Sequence, residues 1–466
     1  MTDQSGGAVA DSIPLPGPGR PVRHILVVGG GASGVLMATH LLSQPGQPLR
    51  VTLIEGNATL GQGIAYATTD PDHLLNTRVH NMSAFPDDPH HFHDWLLAHP
   101  DEAKVTEQCF VSRATYGTYL AGLLDPWRAP DGDGRLRVVT GTVVRVEETA
   151  NGVLAHLEDG QALPGDRLVL ATGHVQANPS PDGALSNPWE PQEGIPPDAR
   201  VVIIGSGLSM VDQVLSLLRS GHRGEILSVS RRGQLPRSHA ATTPLRPNPE
   251  DIPLGAPMSV LFRWVRGLAR QAVQNGGTWR DAIDGIRPQV RTIWRALPGP
   301  ERARFLRHAA TWWEVHRHRM PNTSNVEIRL AVSLGQLVLL RAGFLGAARL
   351  DAETRRVTLR PRGSQDEITI DAARVIDCRG IRNDPESNAA PLFADLLQTG
   401  QARVDPLRLS LDVSADCQVI NHAGVPSARI HAIGPVTRAA FWEITAIPDI
   451  REQAAKLARD LVCAGP

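Results

Sequence analysis

Short apolar runs that stop at glycine clusters set the pattern of this chain. His24 to Val28 is such a run; it meets Gly29-Gly30-Gly31 and gives way to helix-spaced apolar positions from Val35 to Leu42. That order predicts strand, tight turn and helix. Arg50 to Ile54 predicts a second strand ending at Glu55, and Gly61 to Asp94, dense in Gly, Pro, Asp and His, predicts loop. Leu136 to Leu157 alternates in short β segments, and Arg167 to Leu170 runs as a buried strand into Ala171-Thr172-Gly173. A proline-rich connection, Asn178 to Pro197, leads to a repeat of the opening pattern: strand Arg200 to Ile204, glycines, helix Met210 to Ser220, strand Ile226 to Ser230. From about Leu245 to Asn325 the spacing is helical and rich in Trp and Arg. Leu337 to Arg360 returns to β, Arg374 to Asp377 is a buried strand, and Asp449 to Val462 closes as a helix.

Two strand–glycine–helix units with a helical stretch between them predict an α/β chain with two Rossmann-like dinucleotide-binding domains and a helical cap insertion. The expected division is a flexible tail over 1–21, a first domain over 22–180 and 375–466, a second over 198–244 and 326–374, and the cap over 245–325. A length of 466 residues agrees with several lobes, and 41% hydrophobic with 20% charged residues is ordinary globular composition. The 47 basic and 48 acidic side chains leave a net charge of −1, which gives no footprint for nucleic acid or an anionic membrane. The apolar stretch Leu330 to Leu340 is broken by Ser333 and Gln336 and stopped by Arg341, too short to span a bilayer. Four scattered cysteines, Cys109, Cys378, Cys417 and Cys463, form neither a C-x-x-C pair nor a zinc spacing, and they suit a reducing cytoplasm. The opening segment lacks the basic and apolar regions of a signal peptide.

Gly29-Gly30-Gly31-Ala32-Ser33-Gly34 is a G-x-G-x-x-G directly after a strand. Gly29 permits the turn, Gly31 lets backbone approach a pyrophosphate, and Gly34 allows close helix–strand packing, with Ser33 in the first helical turn. The phosphates then meet free N–H groups at a helix N-terminus. Glu55 follows about 20 residues after the last glycine, the place of a carboxylate that bonds ribose hydroxyls. Gly205-Ser206-Gly207-Leu208-Ser209-Met210 is the second turn, with bulky Met210 in the third glycine's place, expected to push helix from strand. No acid follows its next strand, which ends Ser230-Arg231-Arg232. Two arginines there suit a 2′-phosphate, favouring NADPH over NADH, or else form a solvated basic turn.

Two such units in this order resemble the flavoproteins with two dinucleotide-binding domains, of glutathione-reductase-like layout, in which the first unit holds FAD and the second NAD(P)H. Gly61-Gln62-Gly63-Ile64-Ala65-Tyr66, His73-Leu74-Leu75-Asn76, Met82-Ser83-Ala84-Phe85-Pro86, His316-Arg317-His318-Arg319-Met320 and Trp442 through Arg451 resemble the FAD/NAD(P)-binding oxidoreductase family. The layout is more distantly similar to class B flavin monooxygenases and amine N-hydroxylases. The resemblance implies that Gly63, Asn76 and the loop to Met82 line the flavin and that Thr172 and Gly173 mark a crossing between lobes. It also implies that Gly434 lies near the ribityl chain, and that Ile447 opens a helix aimed at the flavin. Where relatives carry Gly-Asp, this chain has Gly434-Pro435, so the acid of the usual ribityl contact is missing.

For catalysis, His73 and Asn76 either position an oxygenated flavin or tie down a loop. Glu443 either sits beside the isoalloxazine or anchors a helix. His316, His318 and Arg319 either recognise an anion or form a solvated helix end, and the i, i+2 histidines share no helix face for a metal. His90, His91 and His93 lack a completing ligand, so no metal is expected. Five of the nine tryptophans lie in the cap (Trp264, Trp279, Trp294, Trp312 and Trp313) and read as core packing more readily than as a substrate cage. The leading expectation is an FAD-dependent, NADPH-using monooxygenase that acts on a small organic substrate with molecular oxygen through a peroxyflavin. A flavin dehydrogenase or reductase, and a redox-sensing FAD/NADP-binding protein, are the alternatives.

Overall fold

The computed structural model describes residues 22–463 apart from 46–47, 58, 100–104, 174–179, 181, 191, 381–385 and 387–389. The expected tail, and part of the proline-rich connection, lie outside the described residues.

Strand β1 (Arg23–Val28) is the apolar run before the first glycine turn, and it pairs in parallel with β2 (Leu49–Glu55) and with β7 (Arg167–Leu170). Beyond β2 lies β3 (Leu136–Thr140), and beyond β7 lies β15 (Pro426–Ala432), both parallel. An antiparallel edge, β14 (Gln418–Ile420), completes the order β14-β15-β7-β1-β2-β3. The excursion β4 (Val143–Thr149), β5 (Gly152–Leu157), β6 (Ala162–Gly165) forms a separate three-stranded antiparallel sheet. The helix Ala32–Leu42 is buried along almost its whole length because it is sandwiched between the six-stranded sheet, at β1 and β2, and the C-terminal helix Ile447–Cys463.

The second lobe repeats the scheme: β8 (Val201–Ile204) lies between β9 (Ile226–Ser230) and β13 (Arg374–Asp377), all parallel. Next to β9 come β10 (Leu337–Arg349), then the antiparallel pair β11 (Arg355–Pro361) and β12 (Ile368–Ala372). Side chains of β8 alternate between faces, as a strand's must. Val201 and Ile203 join one core with Met210, Val214, Ile328 and Leu337, while Val202 and Ile204 join another with Val357, Leu359 and Val375. Met210 is fully buried in the first of these, so its bulk fills the space between strand and helix.

Two expected boundaries shift. The strand at 374–377 hydrogen-bonds to β8, so the second lobe runs to Asp377, and the return to the first lobe lies after it. The helix Asn322–Ser333 packs on the helix Leu208–Arg219 and on β10, so it is the crossover helix of the second lobe and the cap ends before it. The cap helices are Met258–Gln274, Trp279–Ile286, Val290–Ala296, Gly299–His308 and Ala310–Arg317. Their core is closed by Leu409, Ala439 and Trp442 from the first lobe. No described helix is long and apolar enough to cross a membrane, and the four cysteines carry no disulfide.

The lobes are latched by polar groups. His73 sits between Thr68 Oγ1 at 2.8 Å and Ser216 Oγ at 2.9 Å, and Ser216 donates to Asp70 Oδ2 at 2.7 Å. Arg219 pairs with Asp72 at 2.7 Å, and Arg113 meets the nearly buried Asp212 at 2.8 Å. Burial pushes the Asp212 carboxyl above its usual range, with Arg113 opposing it. Arg113→Ala leaves that carboxyl without its cation, a change that costs roughly 3–5 kcal/mol for a buried pair. Urea unfolding is expected to show a loss of that size, and a loss under 1 kcal/mol would mean that the latch is not structural.

Candidate functional site

Three backbone segments converge on the N-terminus of the helix Ala32–Leu42, and Gly29, Gly34 and Gly434 leave no room there for a Cβ. Gly29 has φ +102°, and a Cβ there would stand 2.6 Å from the Ala171 carbonyl oxygen. A Cβ on Gly34 would collide with the carbonyl of Gly29. Gly31 faces Gly63, whose Cα lies 3.4 Å from where a Gly31 Cβ would be. Gly434, at φ +71°, lies directly over Ser33, and a Cβ on it would strike Ser33 Oγ. The first-turn amides of the helix have no intrahelical acceptor. Glu55 accepts from Gly30 N at 2.5 Å and from Asn57 N at 2.9 Å, which holds its carboxylate at the turn. Thr172 Oγ1 is buried without a hydrogen-bond partner, next to Gly173 at φ +71°. A cradle of bare backbone, an amide-rich helix end, an acid at the turn and an orphaned hydroxyl together fit the pyrophosphate and ribose of FAD.

Pro435 opens a 3-10 turn, Gly434–Thr437, and the ordering falls to a residue that the sequence reading did not single out. Gln453 accepts from Gly434 N at 2.8 Å and donates to Thr437 Oγ1 at 3.2 Å. Its signal was a polar residue on the face that Ile450, Ala454 and Leu457 bury. Ile447 is buried where that helix begins. Met82 is buried too, its carbonyl taking the Tyr116 hydroxyl at 2.9 Å, and the Asn76 carbonyl takes His239 Nε2 at 2.9 Å.

At the second turn Gly205 has φ +124° and abuts the Cys378 carbonyl, whereas the Cβ position of Gly207 is open. Ser206 Oγ reaches Ser230 Oγ at 3.0 Å, and Ser209 is half-buried in the first helical turn. The arginine pair divides. Arg231 is exposed, while Arg232 donates to the His308 carbonyl at 3.2 Å and lies 5.9 Å over the Trp312 ring. Arg232 thus caps the C-terminus of a cap helix, where a cation is favoured.

The cap docks on the segment after Gly434 through aromatic rings and buried charge. Trp442 has φ +43°, unusual for a bulky residue. It stacks on Trp294 at 4.8 Å and 28°, with Phe305 edge-on at 5.1 Å and Arg438 at 4.5 Å over its ring. Glu443 takes Trp313 Nε1 at 2.5 Å and pairs with Arg317 at 3.0 Å, both from the cap. Asp449 pairs with Arg287 at 3.4 Å. Burial pushes Glu314 up, yet His318, Arg438 and Arg317 more than offset that and hold it down at about 2. The sequence-predicted residues therefore fall into separate groups: Glu443 against the cap, His73 in the latch, Asn76 on the loop under His239. Arg319 is bound to Asp284. His90, His91 and His93 go to Glu107, Tyr119 and the Val105 carbonyl.

The cap tryptophans do not simply fill a core. Trp264, Trp279, Trp294, Trp312 and Trp313 all line a cavity of 590 Å³, and Trp442 closes it on the first-lobe side. Helical spacing alone cannot separate rings that pack on each other from rings that ring a void.

Gly434→Ala is expected to weaken FAD retention at least tenfold, read as the flavin-to-protein absorbance ratio after gel filtration. Full retention would remove Gly434 from the cradle. Burial lowers His239 to about 4, against its bond to Asn76, and lowers His431 to about 4 with Arg167 adding. The unfolded chain takes up these protons near pH 6.5 and the folded one only near 4. Their contribution to stability is complete above pH 6.5 and drains as pH falls towards 4. The Tm should drop across that window, and His431→Gln should flatten the drop; an unchanged slope would refute the assignment.

Residues 26–175 match the family described as FAD-NAD(P)-binding. No curated protein matches the sequence significantly. Among solved structures, the ornithine hydroxylase of Pseudomonas aeruginosa is similar at 16% identity and TM-score 0.64, over 95% of this chain and 99% of that one. The cadaverine monooxygenase of Erwinia amylovora, bound to FAD, is similar at 13% and 0.65, over 94% of each. The ornithine N-hydroxylase of Kutzneria sp. 744, with reduced FAD, NADP+ and L-ornithine, follows at 13% and 0.61, over 95% and 99%. Residues 26–175 therefore match an FAD-NAD(P)-binding family, and the chain as a whole has the fold of the flavoenzymes with two dinucleotide-binding domains.

Proposed function

We propose that this protein is an FAD-dependent, NADPH-using monooxygenase that oxygenates a small organic substrate. The observation that carries the reading is the docking of an aromatic cap, through Trp442 and Glu443, onto the chain segment that runs from the Gly434 cradle to the helix Ile447–Cys463. The likeness to flavin-dependent N-hydroxylases over the whole chain supports it. When bound, FAD supplies hydride acceptance and oxygen activation.

The chain's own residues do the rest. The first-turn amides and Gly31 bind the pyrophosphate, and Glu55 accepts from ribose hydroxyls. The N-terminal end of the helix Ile447–Cys463 lends positive field towards the flavin's carbonyl edge. The cap keeps bulk water from the reacting face. At the second turn, exposed Arg231 is the group free to meet a 2′-phosphate, while Arg232 stays with the cap.

Mixing the FAD-loaded protein with NADPH anaerobically should bleach the flavin, and oxygen should then be consumed in step with NADPH. Faster reoxidation by a quinone than by oxygen would favour the dehydrogenase reading, and a flavin that NADPH leaves oxidised would favour the redox-sensing one. Arg231→Ala is expected to raise the KM for NADPH about tenfold to a hundredfold, the worth of a charged hydrogen bond, and to leave that for NADH unchanged. Equal effects on both cofactors would defeat the 2′-phosphate assignment.

A further inference from the structure

The 590 Å³ cavity in the cap is within the range that buries a drug-sized molecule. Protein interiors pack without such voids, so rings facing one are available to a guest. Trp312 is 45% exposed, which leaves one wall open to solvent. The charged and polar side chains of the lining are Arg266, His308 and His316; no carboxylate is among them. Glu443, the nearest acid in the sequence to Trp442, is already engaged by Trp313 and Arg317. An ammonium group brought into such a chamber would shed its hydration, find no carboxylate and share the lining with the Arg266 cation, with only ring faces to set against that cost. His316 adds one directional contact. Its Nδ1 lies 2.7 Å from the Trp312 carbonyl, which can only accept, so Nδ1 carries the proton and Nε2 of the neutral ring is an acceptor. Burial holds this ring below its ordinary pKa, which keeps it neutral.

We infer that the cap cavity is the substrate chamber and that it takes an uncharged aromatic molecule bearing an O–H or N–H donor. Such a molecule stacks against indole faces and donates to His316 Nε2. The inference rests on the monooxygenase reading for the word substrate, but the binding chemistry stands on the chamber itself. It departs from the solved structures named above, whose names specify ornithine and cadaverine.

The test uses the full FAD-loaded protein and 2-naphthol, followed by quenching of tryptophan fluorescence. Saturable quenching is expected, with cadaverine and lysine unable to displace the probe. Ala269→Trp places a ring in the chamber from the helix Met258–Gln274 and should weaken naphthol binding at least tenfold, with Tm and FAD content checked for folding. His316→Phe should remove the preference for 2-naphthol over 2-methoxynaphthalene. No quenching by naphthol, quenching untouched by Ala269→Trp, or displacement by cadaverine would overturn the inference. Reduction of the wild-type flavin by NADPH without probe reads the monooxygenase proposal separately, so either can fail alone.

Discussion

The contact of bare backbone with bare backbone around the N-terminus of the helix Ala32–Leu42 is the constraint on which the remaining structure depends. Gly29 lies against Ala171, Gly31 against Gly63, and Gly434 against Ser33. These contacts join four separated stretches of the chain at one point, and a single Cβ at several of them would force the stretches apart. Close approach of this kind is what lets amide dipoles reach a phosphate without water between. The sheet order follows from it, because β1, β7 and β15 must all end at the same place for their following turns to meet.

The second determinant is the mode of cap attachment. Glu443, Asp449 and Glu314 face Arg317, Arg287 and Arg438 across the boundary. Buried pairs contribute little net stability compared with apolar packing, but they punish misalignment strongly. Stacking of Trp294 on Trp442 contributes about 0.5–1.5 kcal/mol beyond area burial. The rings thus hold the cap on, and the charges fix where it sits. One consequence is that Glu443 spans the boundary between the first lobe and the cap, held there by Trp313 and Arg317.

Much of the fold was legible because its signals are local. Strand–glycine–helix spacing, the acid at Glu55 and the change to helical period after Leu245 each need only a short window of sequence. What escaped depends on partners far along the chain. The strand Arg374–Asp377 carries no mark of which sheet it joins, since a buried Val-Ile pair suits either. The contact of His73 with Ser216 was out of view because the two lie 143 residues apart. Gln453 was silent because its value lies in the amide of Gly434, which looks like an ordinary turn until the two are seen together. The tryptophans gave the opposite difficulty: composition marked them at once, but only geometry distinguishes a wall from a filling.

The first lobe is discontinuous, and that has a bearing on biosynthesis. Strands β7 and β15 are sheet neighbours, yet the second lobe and the cap are translated between them. Domains fold as they emerge from the ribosome, N-terminal parts first. The nascent first lobe must wait with an open edge on β7, an invitation to foreign strand pairing, while the second lobe, whose strands β8 to β13 are interrupted only by the cap, can finish its sheet. Only when Pro426–Ala432 and the Gly434 turn arrive does the cofactor cradle exist. Flavin capture must then follow synthesis of Pro426–Ala432 and the Gly434 turn, which makes it a late step in the production of the chain.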